Sequence, residues 1–288
     1  MKGAGIRILR LIALIVVGFS IGARPTCAAI KYEVSLAHPE RHRFGVSIEI
    51  PVEGGEVTVA MAAWNALYQV RDFSLRVRDV AAECSAAGAP ADVRKLDKQT
   101  WRISLAKNCD PAGGRNSIEV HYTIEWNDLG PFNSQLNEHH AFVNLAEILM
   151  YVPDRRGEDT SVRFIDVPVG WRTAAELPAG QTDNTYAAPS YDKLVDAPVE
   201  AGKFDEFQFD SGGAPFRVIV DAENWNRGLL EGSLRRITAY ELQLMGGPPF
   251  DPPSREYTFF FHIDSGEDVG AGGMEHANST AIAMRSVE

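Results

Sequence analysis

"SIEVHYTIEW", Ser117 to Trp126, decides the fold class. In an extended chain Ile118, Val120, Tyr122, Ile124 and Trp126 fall on one side, and Glu119, His121, Thr123 and Glu125 on the other. A period of two is the pattern of an antiparallel strand with one face on a core and the other in water. The same alternation runs through "FGVSIEI" upstream, with Phe44, Val46, Ile48 and Ile50 on one face. "EVTVAMA", "TWRISL" and "SVRFIDV" repeat it, and Gly54–Gly55 marks a turn between two of these runs. Many short strands with few helices predict a β-sandwich or a saddle-like sheet pair over 30–200, with a short helix near "NLAEILMY".

Beyond that the pattern changes. "AELPAGQTDNTYAAPS" and "DSGGAP" are rich in small and turn-forming residues and mark a boundary region. "FRVIVDA" follows as a strand. In "NRGLLEGSLRRITAYELQLMGG", Leu230, Leu234, Ile237 and Leu244 recur at helical spacing, and Gly246–Gly247 ends the run. "EYTFFFHI" is a further strand, and "GAGGMEHANST" (Gly270–Thr280) a glycine-rich one. Residues 201–288 therefore read as an incomplete α+β segment, and the whole chain as mainly β.

The first residues carry a targeting pattern. Lys2, Arg7 and Arg10 precede the apolar run Leu11–Ala23, and small residues follow in "TCAA". This predicts a signal peptide over 1–29 and a secreted or periplasmic protein. The run is shorter than the roughly 20 residues of a membrane span. No membrane association is expected after cleavage; an uncleaved anchor is the other reading. The chain has 28 basic and 39 acidic residues, and four of the basic ones lie in the signal, leaving a mature net charge of −15. A surface so acidic repels phosphate backbones, which excludes nucleic acid as a partner. Cys84 and Cys109 remain after cleavage. In an oxidising compartment they are candidates for a disulfide worth roughly 3–4 kcal/mol. Two buried free thiols are the alternative.

Of the seven histidines, His38 and His42 stand four apart, but Pro39 makes this a surface turn. His139 and His140 point opposite ways in an extended chain and do not share an ion. His121 lies on a polar strand face, and no HExxH occurs anywhere. No metal ligand and no catalytic residue are assigned on these grounds. "GGMEH" offers a binding surface instead. Gly272 and Gly273 let a ligand approach the main chain, an extended peptide can add as a strand, and Glu275 can pair with an α-ammonium. A plain glycine-rich turn is the alternative.

The ordered set "HRFGVSIEI", "AAWNALYQVRDF", "QTWRISL", "HHAFVN", "PVGWRTAAEL", "YDKLVDAPVEAGKF", "REYTFFFHI" and "GAGGMEHANST" resembles the glycyl-aminopeptidase family of zinc metallopeptidases, family 61. The resemblance runs from about Tyr32 to the C-terminus. It implies an N-terminal β domain followed by a thermolysin-like catalytic domain. By the same resemblance Gly272 and Gly273 hold substrate backbone, Met274 replaces a commoner Leu, and Glu275 recognises a free amino terminus. The family's zinc ligands come from an HExxH helix and a later Glu, and this chain ends 13 residues after Glu275. The family's W-x-P-G-S-Y segment is "WNALY" here. The resemblance thus leads us to expect a chain truncated before its zinc site, without a cofactor of its own and inactive alone. A non-catalytic periplasmic module binding free peptide N-termini is a second reading. Half of a split aminopeptidase, completed by a separately encoded catalytic half, is a third.

Overall fold

The computed structural model describes residues 30–64, 70–85, 88–105, 116–128, 130–248, 256–264 and 271–286. The signal segment 1–29, Cys109 and all of "WNALY" but Trp64 lie outside them. The fold is predominantly β with a smaller α+β part, as the alternation predicts. Ser117–Trp126 behaves as read: Ile118, Val120, Tyr122, Ile124 and Trp126 are buried, while His121 and Glu125 keep contact with solvent.

That run belongs to a seven-stranded sheet. Its strand Asn116–Glu125 lies between Arg43–Val52 and Val77–Cys84, and Ile30–His38 continues the sheet in parallel with Thr160–Ile165. Two four-stranded sheets cover its apolar face. One contains Glu56–Met61 and Thr100–Ser104. The other has the order Arg172–Ala175, Val199–Gly202, His140–Val143, Gln135–Leu136. Their inward residues share one core, in which Tyr32, Phe44, Ile48 and Val120 meet Val59, Trp101, Val143 and Val199. Burying about 25 cal/mol per Å² of such apolar surface is what holds the layers together.

The strands His140–Val143 and Val199–Gly202 are buried on both faces. Val199 and Ala201 face the large core. Phe142, Ala174 and Glu200, paired across the three strands, face the other way. There they meet a five-stranded sheet of order Asp205–Ser211, Ala214–Asp221, Tyr257–Asp264, Ser279–Arg285, Gly272–Glu275. Phe142, Ala174 and Phe204 pack on Ile219, Phe260 and Ala281 at this junction. The first two strands of the sheet are joined through Gly212 and Gly213, both at positive φ (57° and 80°), a turn that suits glycine.

The helix Arg227–Met245 covers the far face of this sheet. The Asn226 side chain caps it by accepting from the Leu229 N–H at 2.9 Å, and Gly246 ends it in the left-handed region. Its core face differs from the expected stripe. Leu234 and Thr238 are buried, with Leu230 and Leu242 partly so, whereas Ile237 and Leu244 are exposed along with Tyr240. At about 100° per residue, Thr238 and Leu242 lie about 40° and 80° to one side of Leu234, whereas Ile237 and Leu244 lie about 60° and 80° to the other, off the face that meets the sheet. No helix among the described residues is long and apolar enough to cross a membrane.

Cys84 is buried and disulfide-bonded. Its expected partner Cys109 is not among the described residues. His38–His42 is a surface turn as read, with His42 in the left-handed region at φ 55°.

Candidate functional site

The Gly272–Glu275 strand lies at the rim of the five-stranded sheet. Among the described residues it pairs on one side only, antiparallel to Ser279–Arg285, with Gly273 opposite Ile282 and Glu275 opposite Thr280. Met274 is buried and anchors the strand, while Gly273 and Glu275 are exposed. The four residues named from sequence thus fall on one edge strand. A Cβ on Gly273 would meet nothing closer than the Ala281 carbonyl at 3.7 Å, so its face is open. A Cβ on Gly272 would lie 3.5 Å from Phe132 and 3.6 Å from Pro131.

The loop that carries Pro131 and Phe132 is held by a buried carboxyl. The Ser134 N–H donates to Glu147 Oε2 at 2.6 Å, and Arg71 reaches Glu147 Oε1 at 3.4 Å, the Phe132 carbonyl at 3.0 Å and Asn133 Oδ1 at 2.8 Å. Burial pushes the Glu147 carboxyl up to about 8, the Ser134 and Arg71 contacts opposing it. On the other side, the Ala277 N–H donates to Asp196 Oδ2 at 2.9 Å. "YDKLVDAPV" and "GGMEHANST", separate in the sequence, touch through this bond. Burial raises the Asp196 carboxyl, but His276 and the Ala277 N–H outweigh it, and the net shift is downward.

A second group lies at the junction between the sheets. His140, Glu200 and His262 are all buried, and their ligand-type atoms lie within 4.8 Å of one another. Glu200 bridges the two rings, Oε1 to His140 Nδ1 at 3.0 Å and Oε2 to His262 Nε2 at 2.9 Å. His140 Nδ1 is also 3.0 Å from Asp221 Oδ2, and its Nε2 is 3.0 Å from Gln135 Oε1. Burial pulls the His140 ring down, but Glu200, Asp221 and Asp264 outweigh it and lift the ring to about 9. Burial raises the Glu200 carboxyl, and the two histidines more than offset this. Asp221 is pushed up by burial and by the charge of Glu200, against His140.

This cluster corrects the sequence reading. The sequence predicts no metal ligand and no cofactor in the chain, and a truncation before any zinc-capable group. The structure brings together two imidazoles and a carboxylate able to hold a metal ion. The ground for expecting an inactive chain without such a centre is thereby removed. His139 is exposed and His140 buried, so the adjacent pair faces opposite ways as read. The partners of His140 come instead from positions 60 and 122 residues further along. Spacing rules did not detect them. The available signal was compositional: a Glu within the small apolar run "APVEAG" and a His closing "TFFFH", charged or polar groups inside otherwise buried strands. A second group, Glu83, Glu119 and His121, is only half-buried on the polar face of the large sheet.

These features define a class: a multilayer β domain joined to an α+β sheet whose edge strand is exposed. Comparison with known proteins makes the class specific. The Peptidase M61 N-terminal domain matches residues 31–203, more than half of the chain, and the protein belongs to this family. No curated protein matches the chain. An aminopeptidase N family protein from Idiomarina loihiensis has a TM-score of 0.78 at 23% identity, covering 89% of this chain and 42% of that one. An M1 zinc metallopeptidase from Deinococcus radiodurans gives 0.48 at 13%, covering 88% of this chain and 59% of its own. The first of these likenesses establishes the shared fold. The chain spans less than two thirds of either protein.

Proposed function

We propose that the Gly272–Glu275 edge receives the N-terminal end of a peptide. The peptide main chain adds as a further strand along this edge, and Glu275 takes its α-ammonium by charge-assisted hydrogen bonding. The observation that carries the reading is the position of the strand: it pairs on one side among the described residues, with Met274 buried and Gly273 and Glu275 exposed. The open face of Gly273 lets a ligand backbone come close. Membership of a peptidase family supports a peptide as the ligand class. The basic start and apolar run of residues 2–23 support export from the cytoplasm, so that the peptides met are extracytoplasmic. Titration with a short peptide and with its N-acetylated counterpart tests the reading. The free form binds if it holds; equal binding of the two forms removes Glu275 from the account.

A further inference from the structure

We propose that His140, Glu200, His262 and Asp221 form a site for one divalent transition-metal ion, zinc by preference, that ties the inner four-stranded sheet to the five-stranded sheet. It is independent of peptide binding at the edge strand.

The first argument is convergence. The four side chains come from the strands His140–Val143, Val199–Gly202, Tyr257–Asp264 and Ala214–Asp221, two from each sheet. Ile219, Phe260 and Phe142 pack beside them, and the Phe142 ring meets the His262 ring edge-on at 4.5 Å. The donors are therefore preset by two packed sheets and stay near one another without a ligand.

The second argument is the count of lone pairs and protons. Gln135 Oε1, a carbonyl oxygen, accepts from His140 Nε2–H. In the neutral ring that bond leaves the Nδ1 lone pair directed at Glu200 Oε1 and Asp221 Oδ2, each 3.0 Å away. A lone pair facing two carboxylate oxygens is repelled unless a cation lies between them. A proton on Nδ1 can be donated in line to only one of the two oxygens. A metal ion bonds to the nitrogen and both carboxylates at once, and Gln135 is then the outer partner that fixes the ring tautomer.

The third argument is charge and donor type. Bound through neutral imidazoles, a divalent cation cancels the charge of the two carboxylates and takes the place of the proton between them, where an unbalanced charge is costly. Two imidazole nitrogens with carboxylate oxygens suit zinc and its neighbours rather than calcium or magnesium, which take oxygen alone. His140, Glu200 and His262 each offer a ligand atom within 4.8 Å of the others, and Asp221 Oδ2 stands 3.0 Å from His140 Nδ1, whereas tetrahedral bonds of about 2.0–2.1 Å place donors about 3.3 Å apart. Binding the ion draws the side chains to that spacing.

The test uses the full chain, purified without a histidine tag from zinc-supplemented medium. Elemental analysis should find about one zinc per chain after gel filtration, and a chelator should lower the melting temperature until zinc is returned. Cobalt added to the stripped protein should give visible absorption of a nitrogen- and oxygen-ligated ion. Glu200→Gln and His262→Asn should lose the bound metal, and His121→Asn, at the half-buried group, should keep it. Should the buried variants fail to fold, the wild-type stoichiometry and the cobalt spectrum decide alone. Wild type that holds only trace metal, with a melt indifferent to zinc and chelator, overturns the proposal and leaves a proton-bridged ion-pair cluster.

Discussion

Asp196 accepts a hydrogen bond from the Ala277 N–H at 2.9 Å, which ties the last turn of the Tyr191–Asp196 helix to the turn just after the Gly272–Glu275 strand. His276 Nδ1 lies 3.6 Å from the same carboxylate. One carboxylate thus links the end of the family-matched region to the edge strand that is proposed to hold peptide.

Replacing it should loosen that strand. Asp196→Ala leaves the Ala277 N–H without its protein acceptor and should cost about 0.5–1.5 kcal/mol, the net worth of a bond that water can replace, read as a lower urea midpoint. Because the native carboxyl is held below its usual range, its contribution is present above the unfolded pKa and is lost as pH falls through the native one. The difference between wild type and Asp196→Asn should therefore be larger at pH 6 than at pH 3. An unchanged midpoint at pH 6 would show that the bond holds nothing.

Glu147 predicts the opposite slope. Its carboxyl is raised to about 8 in the folded protein. Unfolded, it ionises near its ordinary value, so the unfolded chain holds fewer protons between roughly pH 4.5 and 8, and stability falls as pH rises through that window. Glu147→Gln keeps an acceptor for the Ser134 N–H and carries no charge. Urea midpoints at pH 5 and pH 8 should differ less in this variant than in wild type. Equal slopes would contradict the burial account.

Gly273 separates binding from folding. Its missing side chain has room, the nearest atoms being the Ala281 carbonyl at 3.7 Å and Ile282 Cγ1 at 3.8 Å. Gly273→Ala should change stability by no more than about 0.5 kcal/mol, as for an unstrained exposed site. Gly273→Val should likewise fold and should weaken peptide binding, because a branched side chain stands where the ligand backbone passes. Unaltered peptide affinity in the folded Val variant would place the ligand elsewhere.

Much of the fold was legible because short-range patterns encode it. The alternation of Ile118, Val120, Tyr122 and Ile124 fixes a face, and Gly246–Gly247 ends a helix. The edge strand was legible for the same reason: glycines, an anchoring Met and a Glu lie in four consecutive residues. The junction cluster was not. Glu200 meets His140 and His262 only after Val199–Gly202 is sandwiched between two sheets, and that layering depends on contacts far apart in the chain. The exposed side of the helix, Ile237 and Leu244, misled in a different way. Helical period shows that apolar residues share a side, but only packing decides which stripe the sheet takes.

The central claim is that Glu275 at the sheet edge reads a free peptide N-terminus. Calorimetric titration of wild type and Glu275→Gln with one short peptide, free and N-acetylated, tests it most directly. The account predicts binding of the free peptide by wild type and a loss of tenfold or more, about 1.5–3 kcal/mol, on either acetylation or the Gln substitution. The two changes made together should cost little more than either alone, since both remove the same contact. No heat with wild type at millimolar peptide, or full binding by Glu275→Gln, would contradict it.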